Sequence, residues 1–284
     1  MARRTLAEGA HAFRRLGWLE RLADKARARV GPRLRRPLRA LYLACLRVQT
    51  RGRGLACRLP GGETVRVLPE YARLSWNPDE YHAFRGAVRD GSIALDVGAN
   101  AGAYALLLGQ WVGPTGRVFA FEPSPSVFET LRRHVALNHL DAVVTPVAEA
   151  VGDQVGTAAL VIAGTAGESH LILNDRRHDD VTIDVSMTTV DAFCARMRLA
   201  PDFIKVDVEG AELAVLRGAR QTIAARGSRL ALFVEMHPSI WAAAGISADA
   251  VLAGIRDLGL EPDRPWAEIV RVDGLSVRLR ASSH

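Results

Sequence analysis

The stretch Leu95–Gly109, LDVGANAGAYALLLG, is an apolar run with an acid near its end, then a glycine turn, then a segment with helical periodicity. A strand that closes in a Gly-rich turn and restarts as a helix is the usual cradle of a nucleotide-like cofactor. The dinucleotide fingerprint G-x-G-x-x-G/A is only half met. Gly98 and Ala103 occupy its outer places, Asn100 stands where the second glycine should let backbone approach a pyrophosphate, and Gly102 comes one place early. The Gly-Lys-Ser/Thr of a phosphate loop is missing. Asp96, at the strand end, would repel a phosphate.

A cofactor with a cationic centre and no phosphate suits that turn, and S-adenosyl-L-methionine has both properties. Glu122 closes the next strand, RVFAFEP, where a carboxylate can accept both ribose hydroxyls, as it does in NAD binders too. The expected cofactor-binding residues are therefore Asp96, Gly98, Asn100, Gly102 and Glu122.

Outward from this turn, strands and helices alternate from residue 55 to the end. IALDV, RVFAFEP, VVTPVA, TAALVIA, VTIDVSM, DFIKVDV and LALFVEM read as strands, several of them nearly continuous apolar runs. CRLPGGETVRVLP reads as a hairpin about Gly61–Gly62, and a second hairpin is expected at Asp273–Gly274. The fold class is α/β: a Rossmann-like, doubly wound, mostly parallel sheet with an N-terminal helical arm. Residues 1–54 form the arm and residues 55–284 the domain.

Charge separates the two parts. Of the formal +6, residues 1–54 contribute +12, from 15 Lys and Arg against three Asp and Glu; the remainder is −6. In LRRPLRALYLACLRV, Leu34, Leu38, Leu41, Tyr42, Cys45 and Leu46 recur at helical spacing, and Pro37 is expected in the first turn. AFRRLGWLERLADKARARV is a looser amphipathic pattern before it. Such an arm can cap the domain, touch an anionic membrane peripherally, or touch nucleic acid. The run ALYLACL is too short to span a bilayer. Three scattered cysteines without a C-x-x-C pair fit a reducing, cytoplasmic setting.

The motifs LDVGANAGAYALLLG, VFAFEPSPSVFETLRRHVALN, AVGDQVG, TTVDAFC, DFIKVDVEGAELAVLRGA and LFVEMHP resemble, in this order, the FkbM family of methyltransferases over roughly residues 63–240. The resemblance implies a class I methyltransferase fold and transfer of a methyl group from S-adenosyl-L-methionine. The implied acceptor is a hydroxyl on a sugar, glycoconjugate or natural product.

A hydroxyl acceptor needs somewhere to send its proton. KVDVEGAE places Asp207 and Glu209 just past one strand, and VEMH places Glu235 and His237 at the end of another. His237 has the right intrinsic acidity for a base, with Asp207 or Glu235 to orient it; these four residues are the expected catalytic set. Lys205, alternating with Ile204 and Val206, is expected to point out of the sheet. Asp207, Glu209 and His237 could instead gather a divalent metal, though the spacing does not demand one and none is assigned. His170 and His178 fall in a loop on the acceptor side. Nucleic acid is disfavoured as acceptor because the domain is acidic and lacks an Asp/Asn-Pro-Pro-aromatic run. Ribose 2′-hydroxyl methylation, an NAD-dependent oxidoreductase and a non-catalytic binding module are the rival functions.

Overall fold

The computed structural model describes residues 32–72, 74–162, 169–171 and 182–282. The described residues open with helix α1 (Pro32–Thr50) and the hairpin β1 (Leu55–Arg58) and β2 (Thr64–Val67), paired about Gly61–Gly62 as expected. Pro32 takes the first helical position, so Pro37 falls inside the helix and not in its first turn. The earlier helical pattern of the arm lies outside the described residues.

The core is a seven-stranded sheet built from β3 (Ile93–Val97), β4 (Arg117–Phe121), β5 (Val144–Val147), β10 (Phe203–Val206), β11 (Ala231–Met236), β12 (Leu260–Pro262) and β13 (Leu275–Ala281). Their order is β12-β13-β11-β10-β3-β4-β5. Only β13 runs against the rest, antiparallel to both β11 and β12. Helices α2 (Pro78–Ala87), α3 (Ala103–Val112) and α4 (Pro125–Leu137) are followed by α5 (Val190–Met197), α6 (Glu212–Gly218) and α7 (Arg220–Arg226). The chain ends through α8 (Pro238–Ala243), α9 (Ala248–Asp257) and α10 (Trp266–Ile269). Two apolar layers flank the sheet, one around Phe84, Leu107, Phe203 and Phe233, the other around Leu95, Phe121, Ile204 and Trp241. Both faces are covered, which is why its strands are apolar throughout and not alternating.

Three local expectations change. The strands after β5 leave the main sheet: β6 (Ala150–Val151), β7 (Gly156–Ile162), β8 (Ser169–Leu171) and β9 (Thr182–Thr188) form a second sheet in the order β6-β9-β7-β8, with only β6–β9 parallel. Asp273–Gly274 is no hairpin turn, because the residues before it coil into α10 and β13 enters between β11 and β12. The single helix expected after β10 breaks into α6 and α7 at Gly218–Ala219. A Cβ on Gly218 would lie 2.0 Å from the carbonyl oxygen of Gly152, so the helix is held against that backbone and turns there.

Residues 59–81 strap the hairpin to α3 and α4. Glu63 accepts from the Tyr81 hydroxyl and from Trp111 Nε1, each at 2.7 Å. His134, fully buried in α4, accepts from the Leu68 amide through Nε2 at 2.9 Å, which leaves Nδ1 to donate to the Ala101 carbonyl at 2.6 Å. Burial lowers its pKa and keeps the ring neutral.

The turn after β3 has little room. Gly98 (φ +82°), Asn100 (φ +50°) and Gly102 (φ +92°) are all left-handed, and a Cβ on Gly98 would lie 1.8 Å from the Asp207 carbonyl oxygen. Gly98→Ala should therefore destabilise the fold by about 3 kcal/mol or more, or prevent folding. Urea unfolding of the two proteins measures this, and an unchanged midpoint would contradict the packing described.

Candidate active site

The glycine turn, the end of β4 and the loop after β10 enclose one pocket. Gly98, Asn100, Glu122, Val127, Leu160 and Asp207 line it, with Glu149 and Glu209 at its edges. Four carboxylates and no lysine or arginine face it. That donor set fits a cationic, phosphate-free cofactor and not a pyrophosphate. Apolar Phe121, Val127, Val151 and Leu160 form the other wall, suited to an adenine ring.

Glu122 is held by the turn it serves. Its Oε2 accepts from the Asn100 amide at 3.1 Å and its Oε1 from the Ser124 amide at 2.8 Å. Burial pushes its pKa up to about 7 despite these bonds. Asn100 contributes backbone geometry: it takes the left-handed conformation that asparagine tolerates, and its Oδ1 accepts from the Ala101 amide. Gly102 ends the turn at the N-terminus of α3. Asp96 lies beneath the turn and outside the pocket lining, 1% exposed, and burial carries its pKa up to about 6.

Beneath the pocket floor sits Lys205. The expectation that it points out of the sheet fails because both faces of the sheet are covered. Lys205 is 3% exposed, and its Nζ lies 2.9 Å from Asp207 Oδ2 and 3.9 Å from Asp96 Oδ1. The Tyr104 ring lies 5.3 Å from the same ammonium, and the Tyr104 hydroxyl donates to buried Glu80. Burial alone would discharge Lys205; the surrounding carboxylates, Asp207 first, hold it firmly protonated. In return Lys205 overcomes the burial of Asp207 and keeps its pKa below the ordinary value.

His237 follows β11 directly. Its orienting partner is Glu212, in place of the expected Asp207 or Glu235. Nδ1 contacts Glu212 Oε1 at 2.6 Å, whereas Nε2 faces Asp207 Oδ1 and Glu235 Oε1, each at 3.8 Å. Glu212 is 1% exposed and also accepts from the Gly210 amide at 2.8 Å and Trp241 Nε1 at 2.7 Å. Burial alone would lower the His237 pKa, but the hydrogen bond and charge of Glu212, then Asp207 and Glu235, carry it up to about 9. Glu235, buried beside ionised Asp207, is pushed up to about 8. Glu209, with a left-handed φ of +47°, lines the pocket and stays outside the group formed by Asp207, Glu235 and His237. Among the described residues, atoms of those three able to ligate a metal lie within 4.8 Å of one another, so Glu235 stands in the place of Glu209 in the trio weighed for a divalent metal. The cation that meets Asp207 in this structure is Lys205.

Reading the sequence missed Glu212, Lys205 and the apolar wall. Glu212 stands where an acid ordinarily favours a helix start; Trp241, 29 residues later, gives no separate sign of a partner. Of the two histidines expected near an acceptor, His170 in β8 pairs in register with Val161 of β7 and His178 lies outside the described residues.

The profile of the methyltransferase FkbM domain matches residues 96–261, from the acid beneath the turn to β12. The chain belongs to the FkbM methyltransferase family. S-adenosyl-L-methionine is accordingly its cofactor. A curated relative, Methyltransferase 1 of Beauveria bassiana (strain ARSEF 2860), is 26% identical over 147 residues, covering 45% of this chain. The match spans 59% of that relative's length. Among solved structures, Methyltransferase FkbM from Methylobacillus flagellatus KT superposes with a TM-score of 0.41 at 19% identity, over 71% of this chain and 49% of that one. Aeropyrum pernix fibrillarin, solved with natively bound S-adenosyl-L-methionine, gives a TM-score of 0.42 at 17% identity, over 80% and 82% of the two chains.

Removing the buried cation leaves Asp96 and Asp207 uncompensated. Lys205→Met should cost about 3–5 kcal/mol of unfolding free energy near pH 8. The loss should be smaller near about pH 5, where Asp96 takes up a proton instead. Chemical denaturation at the two pH values checks the sign, and a pH-independent loss would contradict the charge pairing.

Proposed function

We propose that this protein is an S-adenosyl-L-methionine-dependent O-methyltransferase acting on a hydroxyl of a sugar, glycoconjugate or other natural product. The observation that carries this reading is the Glu212–His237 pair, which holds the ring with Nε2 turned towards Asp207 and Glu235, each 3.8 Å away. A hydroxyl acceptor must lose a proton as its oxygen bonds to carbon, and a positioned imidazole is suited to take it. Gly98, Asn100 and Glu122 hold the cofactor, with Asp96 and Gly102 supporting the turn from beneath and behind. When bound, S-adenosyl-L-methionine supplies an already activated methyl group.

The protein's work is then placement and proton removal. Holding an acceptor in line is worth roughly 7–11 kcal/mol, and a base in reach adds about 10²–10⁴-fold. Glu212 fixes the ring through Nδ1, and the carboxylates of Asp207 and Glu235 stabilise the imidazolium once Nε2 holds the proton. Asp207, kept ionised by Lys205, is the constant partner in that exchange. The acidic mouth disfavours a polyanionic acceptor, which supports a small or glycosylated hydroxyl over nucleic acid.

The sign of the pH dependence follows from His237. Its ring accepts a proton only when neutral, so with a pKa of about 9 the activity should rise with pH up to that value. Glu212→Gln should keep the fold and the affinity for S-adenosylhomocysteine, lower kcat at least about tenfold, and move the pH limb towards the ordinary histidine range. Methyl-transfer assays over hydroxylated acceptors, run beside calorimetric titrations with S-adenosylhomocysteine and NADH, test this reading. An unmoved limb would remove His237 as base; binding of NADH in place of S-adenosylhomocysteine would remove the methyltransferase.

A further inference from the structure

Helix α1 uses only one of its two apolar faces. Leu46 is buried and Arg47 pairs with Glu70, so the helix packs on the strap beside residues 69–71. The opposite face carries Leu38, Leu41, Cys45 and Val48, spaced three, four and three apart, which places them in one line along the helix. That line faces outward: Leu38 is 45%, Leu41 62% and Val48 78% exposed, and Cys45 is exposed. Among the described residues, these three account for three of the five exposed large apolar side chains. The line has no charge within it, yet residues 32–54 hold seven arginines and no acid.

We propose that this face of α1 binds the surface of an anionic phospholipid bilayer. A lipid interface takes both features at once, burying the apolar line among acyl chains while the arginines meet headgroup phosphates. The other occupants fit less well. Nucleic acid would answer the charge and leave the apolar line in water. A second copy would bring another arm of net charge +12 against this one, and residues 1–31 themselves carry a net +5. Among the described residues no helix is long and apolar enough to cross a membrane, so the contact is in the plane of the interface. The domain beyond residue 54, at −6, is repelled by the same surface. The arm therefore sets which side of the protein faces the lipid.

The test is flotation of the full chain with vesicles of phosphatidylcholine alone or phosphatidylcholine with phosphatidylglycerol, at low and high salt. The expected result is binding to the anionic vesicles at least about tenfold above the neutral ones, weakened by salt. The double variant Leu41→Glu/Val48→Glu should lose at least about tenfold of that binding while titrating S-adenosylhomocysteine like the wild type, which shows that it folds. Equal binding to both vesicles, no binding, or binding unchanged in the variant would overturn the proposal. So would a solution dimer that the variant dissolves, or RNA binding that outcompetes the vesicles and survives the substitution.

Discussion

One buried ammonium organises the pocket end of the sheet. Lys205 sits at the level of Asp96 on the neighbouring strand, and reaches forward to Asp207 just beyond its own. The same charge thus faces both strands beneath the pocket: it lies 3.9 Å from Asp96 near the end of β3 and hydrogen-bonds Asp207, in the loop after β10, at 2.9 Å. Burying an unpaired ion would be prohibitive, so each of these three groups is tolerable only because of the others. The choice of lysine is telling in this chain, which has 35 arginines and only two lysines. An ammonium is compact and can be enclosed between two carboxylates and the face of Tyr104; a guanidinium is wider and planar, and its fork demands a different set of partners.

From that ammonium outward, the site shows a gradient of proton affinity. Asp207 stays ionised next to Lys205, Glu235 one strand over is held towards its neutral form, and His237 gathers charge from both and from Glu212. Burial acts on all of them in the direction of neutrality; what separates them is distance from the one fixed cation and the quality of their hydrogen bonds. Such a spread of affinities within a few ångströms is what acid–base chemistry at one locus requires.

Much of this was legible in the residues, and the part that was not has a common cause. The strand–turn–helix at Leu95–Gly109 could be read because glycines and an asparagine are needed wherever backbone turns left-handed, and Glu122 because it ends a strand at the right remove. Asp207, Glu235 and His237 could be read as polar groups ending apolar strands. Lys205 could not, because alternation along one strand says nothing about whether the next layer covers that face. Glu212 was hidden by an equally good local reason for an acid there. The departure of β6–β9 into a second sheet, and the entry of β13 between two earlier strands, depend on pairings across long separations that no local pattern encodes.

The position of β13 bears on what counts as the protein's indivisible part. The family's shared span ends at residue 261, within β12, while β13 runs from Leu275 to Ala281 and is the strand that joins β12 to β11. At the other end, the strap that supplies Glu80 and latches onto His134 precedes residue 96. The segment inherited in common is thus smaller than the segment that closes its own hydrogen bonds. Severed at those borders, it would lose Ile93–Leu95 from β3, the strand that carries the glycine turn, and leave β11 and β12 with bare, unpaired edges, the state that invites association with other chains. Kinship and cooperativity draw different boundaries on this sheet.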